Sequence, residues 1–189
     1  MAATILEICN QALLYLGAQP ITELNDTGTP NRYCNALYAQ CRKELLQRHP
    51  WGFAIQEAEL VEQSDDAEDT TWGYGFDLPE DYLRALLING DRTAEFQVRG
   101  GYLWCDSDEV TLRYIFDEDT VTVFPPLFVA AYAYLIASRI ALPITGDAKI
   151  VQTVTMLAVQ AFHEAATADA NSEQQPQTAS TRHIADSRQ

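Results

Sequence analysis

Between Trp72 and Ile115 the chain gives up helical periodicity for short strand-length runs separated by turn residues, and this block splits an otherwise helical sequence. Leu83 to Ile88, Glu95-Phe96-Gln97-Val98-Arg99, Tyr102-Leu103-Trp104-Cys105 and Val110-Thr111-Leu112-Arg113-Tyr114-Ile115 are the runs. Asn89-Gly90-Asp91, Gly100-Gly101 and Asp106-Ser107-Asp108 supply the reversals, because Gly and Asn reach the backbone conformations that tight turns need. Four short strands joined in this way predict an antiparallel meander. A sheet of that size buries too little alone and must pack on neighbouring helices. Trp72-Gly73-Tyr74-Gly75-Phe76 opens the block, and Asp77-Leu78-Pro79-Glu80-Asp81-Tyr82 predicts a capped single turn of helix.

Four helical stretches flank the block. From about Thr4 to Leu16, Ile5, Ile8, Cys9, Ala12, Leu13 and Leu16 recur at spacings of three and four. Thr4 and Glu7 make a capping box, and Gly17 ends the helix. Thr29-Pro30 predicts the second start, a hydroxyl cap before a proline at the first helical position. That helix runs to about His49, with Tyr33, Leu37, Cys41 and Leu45 along one face and Cys34, Tyr38 and Leu46 widening it. Arg42, Lys43 and Arg48 sit toward its C-terminus, where the helix dipole favours positive charge. After Phe124-Pro125-Pro126 an alanine-rich stretch carries Phe128, Ala131, Tyr132, Leu135, Ile136, Arg139 and Ile140, and Pro143 is expected to end it. Thr145-Gly146-Asp147 predicts the start of the last helix, which extends to about Asp169.

The expected fold is therefore α+β: a mainly helical core of about four helices, an inserted small antiparallel β-rich lobe and an extended C-terminal arm. Residues 1–50 hold the first two helices, 51–123 the lobe with an acidic loop, 124–170 the last two helices and 171–189 the arm. Close packing of the alanine-rich helix gives Ala131, Tyr132, Leu135 and Arg139 a place in the core or at a subunit interface.

Charge limits the function. The 189 residues carry 27 Asp and Glu against 12 Lys and Arg, a formal net charge of -15. A chain that grips nucleic acid needs a basic face. Here Glu57, Glu59, Glu62, Asp65, Asp66, Glu68 and Asp69 follow one another with no Lys or Arg between them, which predicts a solvated loop. Met1-Ala2-Ala3-Thr4 lacks the basic and apolar regions of a secretory leader. The apolar stretch 124–142 is broken by Pro125, Pro126, Ser138 and Arg139, so it reads as a buried helix. Beyond Asn171 polar residues dominate and Ile184 is the only large aliphatic, a composition expected to order only against a partner.

Chemistry is sparse. Cys9, Cys34, Cys41 and Cys105 are too scattered for a zinc site and predict buried free thiols. His49, His163 and His183 have no second histidine at a ligand spacing. Asp77, Glu80 and Asp81 read as capping carboxylates, and Asp106, Asp108 and Glu109 as a hairpin tip that matches no calcium loop. No Gly-rich phosphate loop or nucleophile elbow occurs. No catalytic residue, metal site or cofactor is expected.

The order of motifs carries more. Ala12-Leu13-Leu14-Tyr15-Leu16-Gly17-Ala18-Gln19-Pro20-Ile21 comes first, then Cys34, Tyr38 and Arg42, then His49-Pro50-Trp51-Gly52-Phe53-Ala54. Asp77-Leu78-Pro79-Glu80-Asp81-Tyr82-Leu83-Arg84, Gly100-Gly101-Tyr102-Leu103, Leu112-Arg113-Tyr114-Ile115, Phe124-Pro125-Pro126-Leu127-Phe128 and Leu142-Pro143-Ile144-Thr145-Gly146-Asp147 complete the set. Over nearly its whole length the chain resembles the head-to-tail adaptor proteins of tailed bacteriophages, the tail tubular protein A family. The resemblance implies a structural virion protein without catalytic activity. Twelve copies would form a ring in the neck, between the portal protein and a distal tail or nozzle protein, with DNA passing through unread; the isolated chain could still be a monomer that assembles only on the portal. Assembly would take place in the host cytoplasm. The C-terminal arm would dock on the portal, with Arg182, Ile184 and Arg188 as anchors. The same residues also suit a monomeric phage assembly or regulatory factor that binds another protein, whereas a small hydrolase lacks a convergent nucleophile and base.

Overall fold

Thr4 starts the first helix as its residues demand. Its hydroxyl accepts from the Glu7 N–H at 3.2 Å while the Glu7 carboxylate accepts from the Thr4 N–H at 2.7 Å, so two orphan donors are satisfied reciprocally. The computed structural model describes residues 4–25, 28–62 and 71–173. Among them lie four helices, α1 (Ile5–Tyr15), α2 (Thr29–Arg48), α3 (Pro126–Thr145) and α4 (Ala148–Glu173). Six strands separate α2 from α3: β1 (Ile55–Glu59), β2 (Tyr74–Asp77), β3 (Tyr82–Ile88), β4 (Gln97–Arg99), β5 (Tyr102–Cys105) and β6 (Thr111–Phe116). The fold is α+β, with the helices packed around one side of a small antiparallel β unit.

Several local expectations give way to tertiary ones. Thr29 is the first helical residue of α2 and not its cap; Gly28 caps, and its carbonyl accepts from the Arg32 N–H at 3.1 Å. A Cβ at Gly28 would stand 2.7 Å from Oδ1 of Asn31, whose amide is turned back to donate to the Glu23 carbonyl. Pro143 does not end α3. Its missing N–H removes one bond in a solvent-facing final turn, and the helix continues to Gly146, which enters the left-handed region at φ 65° and donates to the Leu142 carbonyl at 2.9 Å. The fourth helix outruns its expected end near Asp169 and holds to Glu173, so residues 171–173 are helix and not arm. Asp77 to Tyr82 is no helical turn. Leu78 precedes a proline and is driven extended; the chain then reverses through a turn in which the Tyr82 N–H donates to the Pro79 carbonyl at 3.0 Å.

The β unit is two three-stranded antiparallel sheets and not a meander, in the orders β1-β6-β3 and β2-β5-β4. Two strands are missing from the sequence reading: β2, which the aromatic and glycine cluster opening the block forms, and β1, where Glu57 and Glu59 already belong to the pairing Glu57↔Arg113 and Glu59↔Thr111. An edge strand with one face in water tolerates carboxylates, so its acidity disguised it. Asp65, Asp66, Glu68 and Asp69 lie outside the described residues, as do His183, Arg182, Ile184 and Arg188.

β6 joins the two cores. Ile115 points into the helical core with Trp51, Phe128, Tyr132, Leu45 and Ile136, whereas Leu112 and Tyr114 face the second sheet with Phe76, Leu103 and Cys105. Beside β6, the register of β3 shifts between Tyr82 and Arg84 and again between Ala85 and Leu87. These bulges let both Leu83 and Leu86 reach the helical core while Tyr82, Ala85 and Ile88 stay with the sheets. The layers run helices, first sheet, second sheet. By length and composition α3 could cross a membrane, yet half of its most apolar window is buried within the protein.

All four cysteines are buried and free. Cys9 and Cys34 share a hydrogen bond that raises the first thiol and lowers the second. Burial, and secondarily the Glu44 carboxylate, push Cys41 from 9.0 up to about 11. A thiol whose folded value is raised contributes its full stability below the unfolded value and loses it as pH climbs through the folded one. Unfolding free energy is thus expected to fall between pH 9 and about 11, with Cys41 accounting for about 2–3 kcal/mol of that fall. Urea midpoints across that range test it: Cys41→Ala should show a shallower fall than the native chain, and parallel pH curves would refute the assignment.

Candidate functional site

Pro50 stops α2, and His49 leaves it extended. Trp51 then turns back into the helical core with 1% of its surface exposed. Its indole N–H donates at 2.9 Å to the carbonyl of Leu45, one of the last four carbonyls of α2 that have no partner within the helix. The ring meets Phe128 of α3 edge-on at 4.9 Å and Phe162 of α4 at 6.2 Å. On either side of Trp51, His49 and Gly52 grip the same carboxylate. Nε2 of His49 lies 3.1 Å from Oδ2 of Asp169, and the Gly52 N–H reaches both Asp169 oxygens at 3.3 and 3.4 Å. His49-Pro50-Trp51-Gly52 is therefore a clasp that pins the far end of α4, close to Glu173, to the end of α2.

A narrow groove of about 230 Å³ runs beside the clasp. Trp51 and Phe128 line it with Pro125, Pro126 and Leu127 on one side, and Ala165, Ala168, Asp169 and Ser172 of α4 on the other.

A second junction ties the helices to the sheets. Arg42 lies on the buried stripe of α2, where a cation needs a partner. Asp117, directly after β6, takes it in a two-pronged ion pair, Nε to Oδ1 at 3.0 Å and a terminal nitrogen to Oδ2 at 2.9 Å, and Lys43 adds a contact at 3.3 Å. The Asp117 N–H donates to the Asp81 carbonyl at 2.8 Å, and the Asp81 carboxylate accepts from the Tyr114 hydroxyl at 3.0 Å. Burial, aided by that carboxylate, pushes the Tyr114 phenol up to about 12. Asp81 is thus occupied in packing rather than capping.

The other expected residues scatter. Ala131, Tyr132 and Leu135 are buried inside this chain, and the Tyr132 hydroxyl donates to the Tyr38 carbonyl. Arg139 is half exposed and reaches both Glu44 oxygens at 2.7 and 2.8 Å, where Arg48 also pairs. His163 lies exposed on α4. Among the described residues no group of His, Cys, Asp and Glu is arranged to hold a metal ion.

Sequence reasoning missed Asp117 and Asp169, the acids that complete both junctions. Arg42 offered a signal, because a cation on the apolar stripe of a helix calls for a buried carboxylate; Asp169 offered none. Set beside known proteins, the sequence matches no family model and no curated protein, so motif order and geometry are what a functional reading stands on.

Proposed function

We propose that the chain is a structural virion protein, a ring-forming adaptor that joins the portal of a tailed bacteriophage to its tail and encloses the DNA exit channel. The observation that carries the reading is the clasp. His49-Pro50-Trp51-Gly52, the most telling stretch of the resemblance, grips α4 at Asp169, immediately ahead of residues 174–189. A polar segment that orders on a partner spends binding energy on fixing its chain. Launching it from an anchored helix keeps the rest of that cost low. On this reading the partners are further copies of the chain, the portal protein and a distal nozzle protein, and the place is the virion neck, assembled in the host cytoplasm. A channel wall of net negative charge would pass DNA without adhesion.

Mixing the purified chain with the portal ring, read by particle mass and electron microscopy, tests the reading. The expected product is a closed ring of copies on each portal. A chain ending at Glu173 should keep its fold and fail to join. Unchanged portal binding by that truncation would remove the arm's role, and one copy per portal would favour the monomeric assembly factor. A basic lumen in the assembled ring would sink the idea of adhesion-free passage.

A further inference from the structure

Asn89-Gly90 is the one place in the chain where an asparagine precedes a glycine; the other five asparagines are followed by Gln11, Asp26, Arg32, Ala36 and Ser172. With no side chain on the following residue, its backbone nitrogen has an unhindered path to the side-chain carbon Cγ of the asparagine. The fold sets this pair at the exposed end of β3, in a reversal closed by the Asp91 N–H donating to the Ile88 carbonyl at 2.9 Å. Asn89 stands at φ 52° and Gly90 at φ 70°, the left-handed pair that a two-residue reversal of this kind requires.

The Asn89 side chain is a latch. Its Nδ2 donates to the Glu109 carbonyl at 3.0 Å and to the Ser107 hydroxyl at 3.3 Å, while its Oδ1 accepts from the Thr111 N–H at 2.8 Å. The Ser107 hydroxyl donates in turn to the Glu109 carbonyl at 2.7 Å. With the Asn89 N–H on the Thr111 carbonyl at 2.8 Å, one residue ties the end of β3 to the start of β6 through both its backbone and its side chain. An aspartate here could still accept from Thr111, but an ionised carboxylate has no proton to offer the Glu109 carbonyl, and two acceptors would face each other.

We infer that Asn89 is a site of spontaneous deamidation, held in check by the latch that its own side chain makes. In the reaction the Gly90 nitrogen bonds to Cγ of Asn89 as the C–N bond of the side-chain amide breaks. The proton of that nitrogen passes through solvent to the departing group, which leaves as ammonia. Water then opens the five-membered imide at either carbonyl, giving aspartate or the isomer whose backbone runs through the side chain. In the native fold Cγ turns onto Gly90 only when all three side-chain hydrogen bonds are open. At the modest net worth of each bond, the closed latch holds the rate about 10-fold or more below that of the unfolded chain. Reaction is one-way for the fold, because the product lacks the donors that close the latch. The inference is independent of the adaptor reading.

Incubation of the full chain in mildly alkaline buffer, with and without urea, followed by peptide mass spectrometry, tests it. In urea, Asn89 should show the mass gain of an amide turned to an acid before any other asparagine does. The native chain should react at the same residue, about 10-fold or more slowly. Gly90→Ala, measured in urea where its strained φ is immaterial, should nearly abolish the reaction by hindering the attacking nitrogen. Ser107→Ala removes one acceptor of the latch, so it should raise the native rate and leave the rate in urea unchanged. Asn89→Asp should lower the urea midpoint with circular dichroism unaltered; if that variant fails to fold, the Ser107→Ala rates still decide. Another asparagine reacting first in urea, equal rates in the folded and unfolded chain, or a Ser107→Ala chain that reacts like the native one would each overturn the inference.

Discussion

Replacing Trp51 by Ala is expected to remove about 3–5 kcal/mol of unfolding free energy. Domains of this size have a total of about 5–15 kcal/mol, so the variant should sit at the edge of folding. Three effects converge at this residue. The indole is almost wholly buried and fills the space among Phe128, Phe162 and Phe53. It satisfies the Leu45 carbonyl, which would be left buried without a donor at a further cost of about 1–3 kcal/mol. It also keeps His49 and Gly52 in register with Asp169. Trp51→Phe separates the terms, since it retains most of the packing and loses only the N–H. Its expected cost is about 1–2 kcal/mol, read by urea unfolding followed by circular dichroism. Hydrogen exchange supplies the functional side: amides of residues 165–173 should open in Trp51→Ala more than those of β6. A cost under about 1 kcal/mol for Trp51→Ala would mean that the clasp does not hold α4.

Asp117→Ala should cost nearly as much, about 3–5 kcal/mol, for a different reason. Arg42 would stay buried with its charge uncompensated. In the native fold burial works against the Arg42 charge, and the hydrogen bonds it donates to the Asp117 carboxylate override it, holding the guanidinium above its ordinary pKa. Removing both partners with apolar residues of similar volume, Arg42→Met with Asp117→Leu, should cost far less than Asp117→Ala. A double-mutant cycle by denaturation measures the coupling, and the inequality is the test. If the paired replacement were as damaging as the single one, the junction would matter through packing and not through charge. Because Asp117 follows β6 and its N–H binds the Asp81 carbonyl, the first amides to lose protection should be those of β3 and β6, at the seam with the helices.

What could be read from the residues in order was whatever neighbours decide. The Thr4–Glu7 box and the stripe of Ile8, Cys9, Ala12 and Leu13 involve positions three and four apart, and each is found where the spacing puts it. The Asn89-Gly90 and Gly100-Gly101 reversals are local for the same reason; all four residues have positive φ. Misreadings arose where a distant partner outweighed a neighbour. Ile55–Glu59 looked like loop because its acids dominate the composition, yet β6, more than fifty residues on, supplies its hydrogen bonds. One misreading was itself local: at Leu78-Pro79 a capping pattern lost to the extended bias of a residue before proline.

The candidate site divides in the same way. His49-Pro50-Trp51-Gly52 was visible as a motif and its helix-ending proline predictable, but the carboxylate that gives it a task lies 120 residues from His49. Arg42 was visible as a cation near a helix end, and its partner is 75 residues away. By itself the sequence determined the helices, the turns, the burial of the thiols and the amount of negative charge, because each depends on residue type and near spacing. Only the tertiary structure decided which acids are spent on ion pairs, that α3's apolar residues serve the chain's own core, and that the Asn89 amide is tied to the start of β6. Those outcomes depend on which segments meet, and no short-range spacing records that.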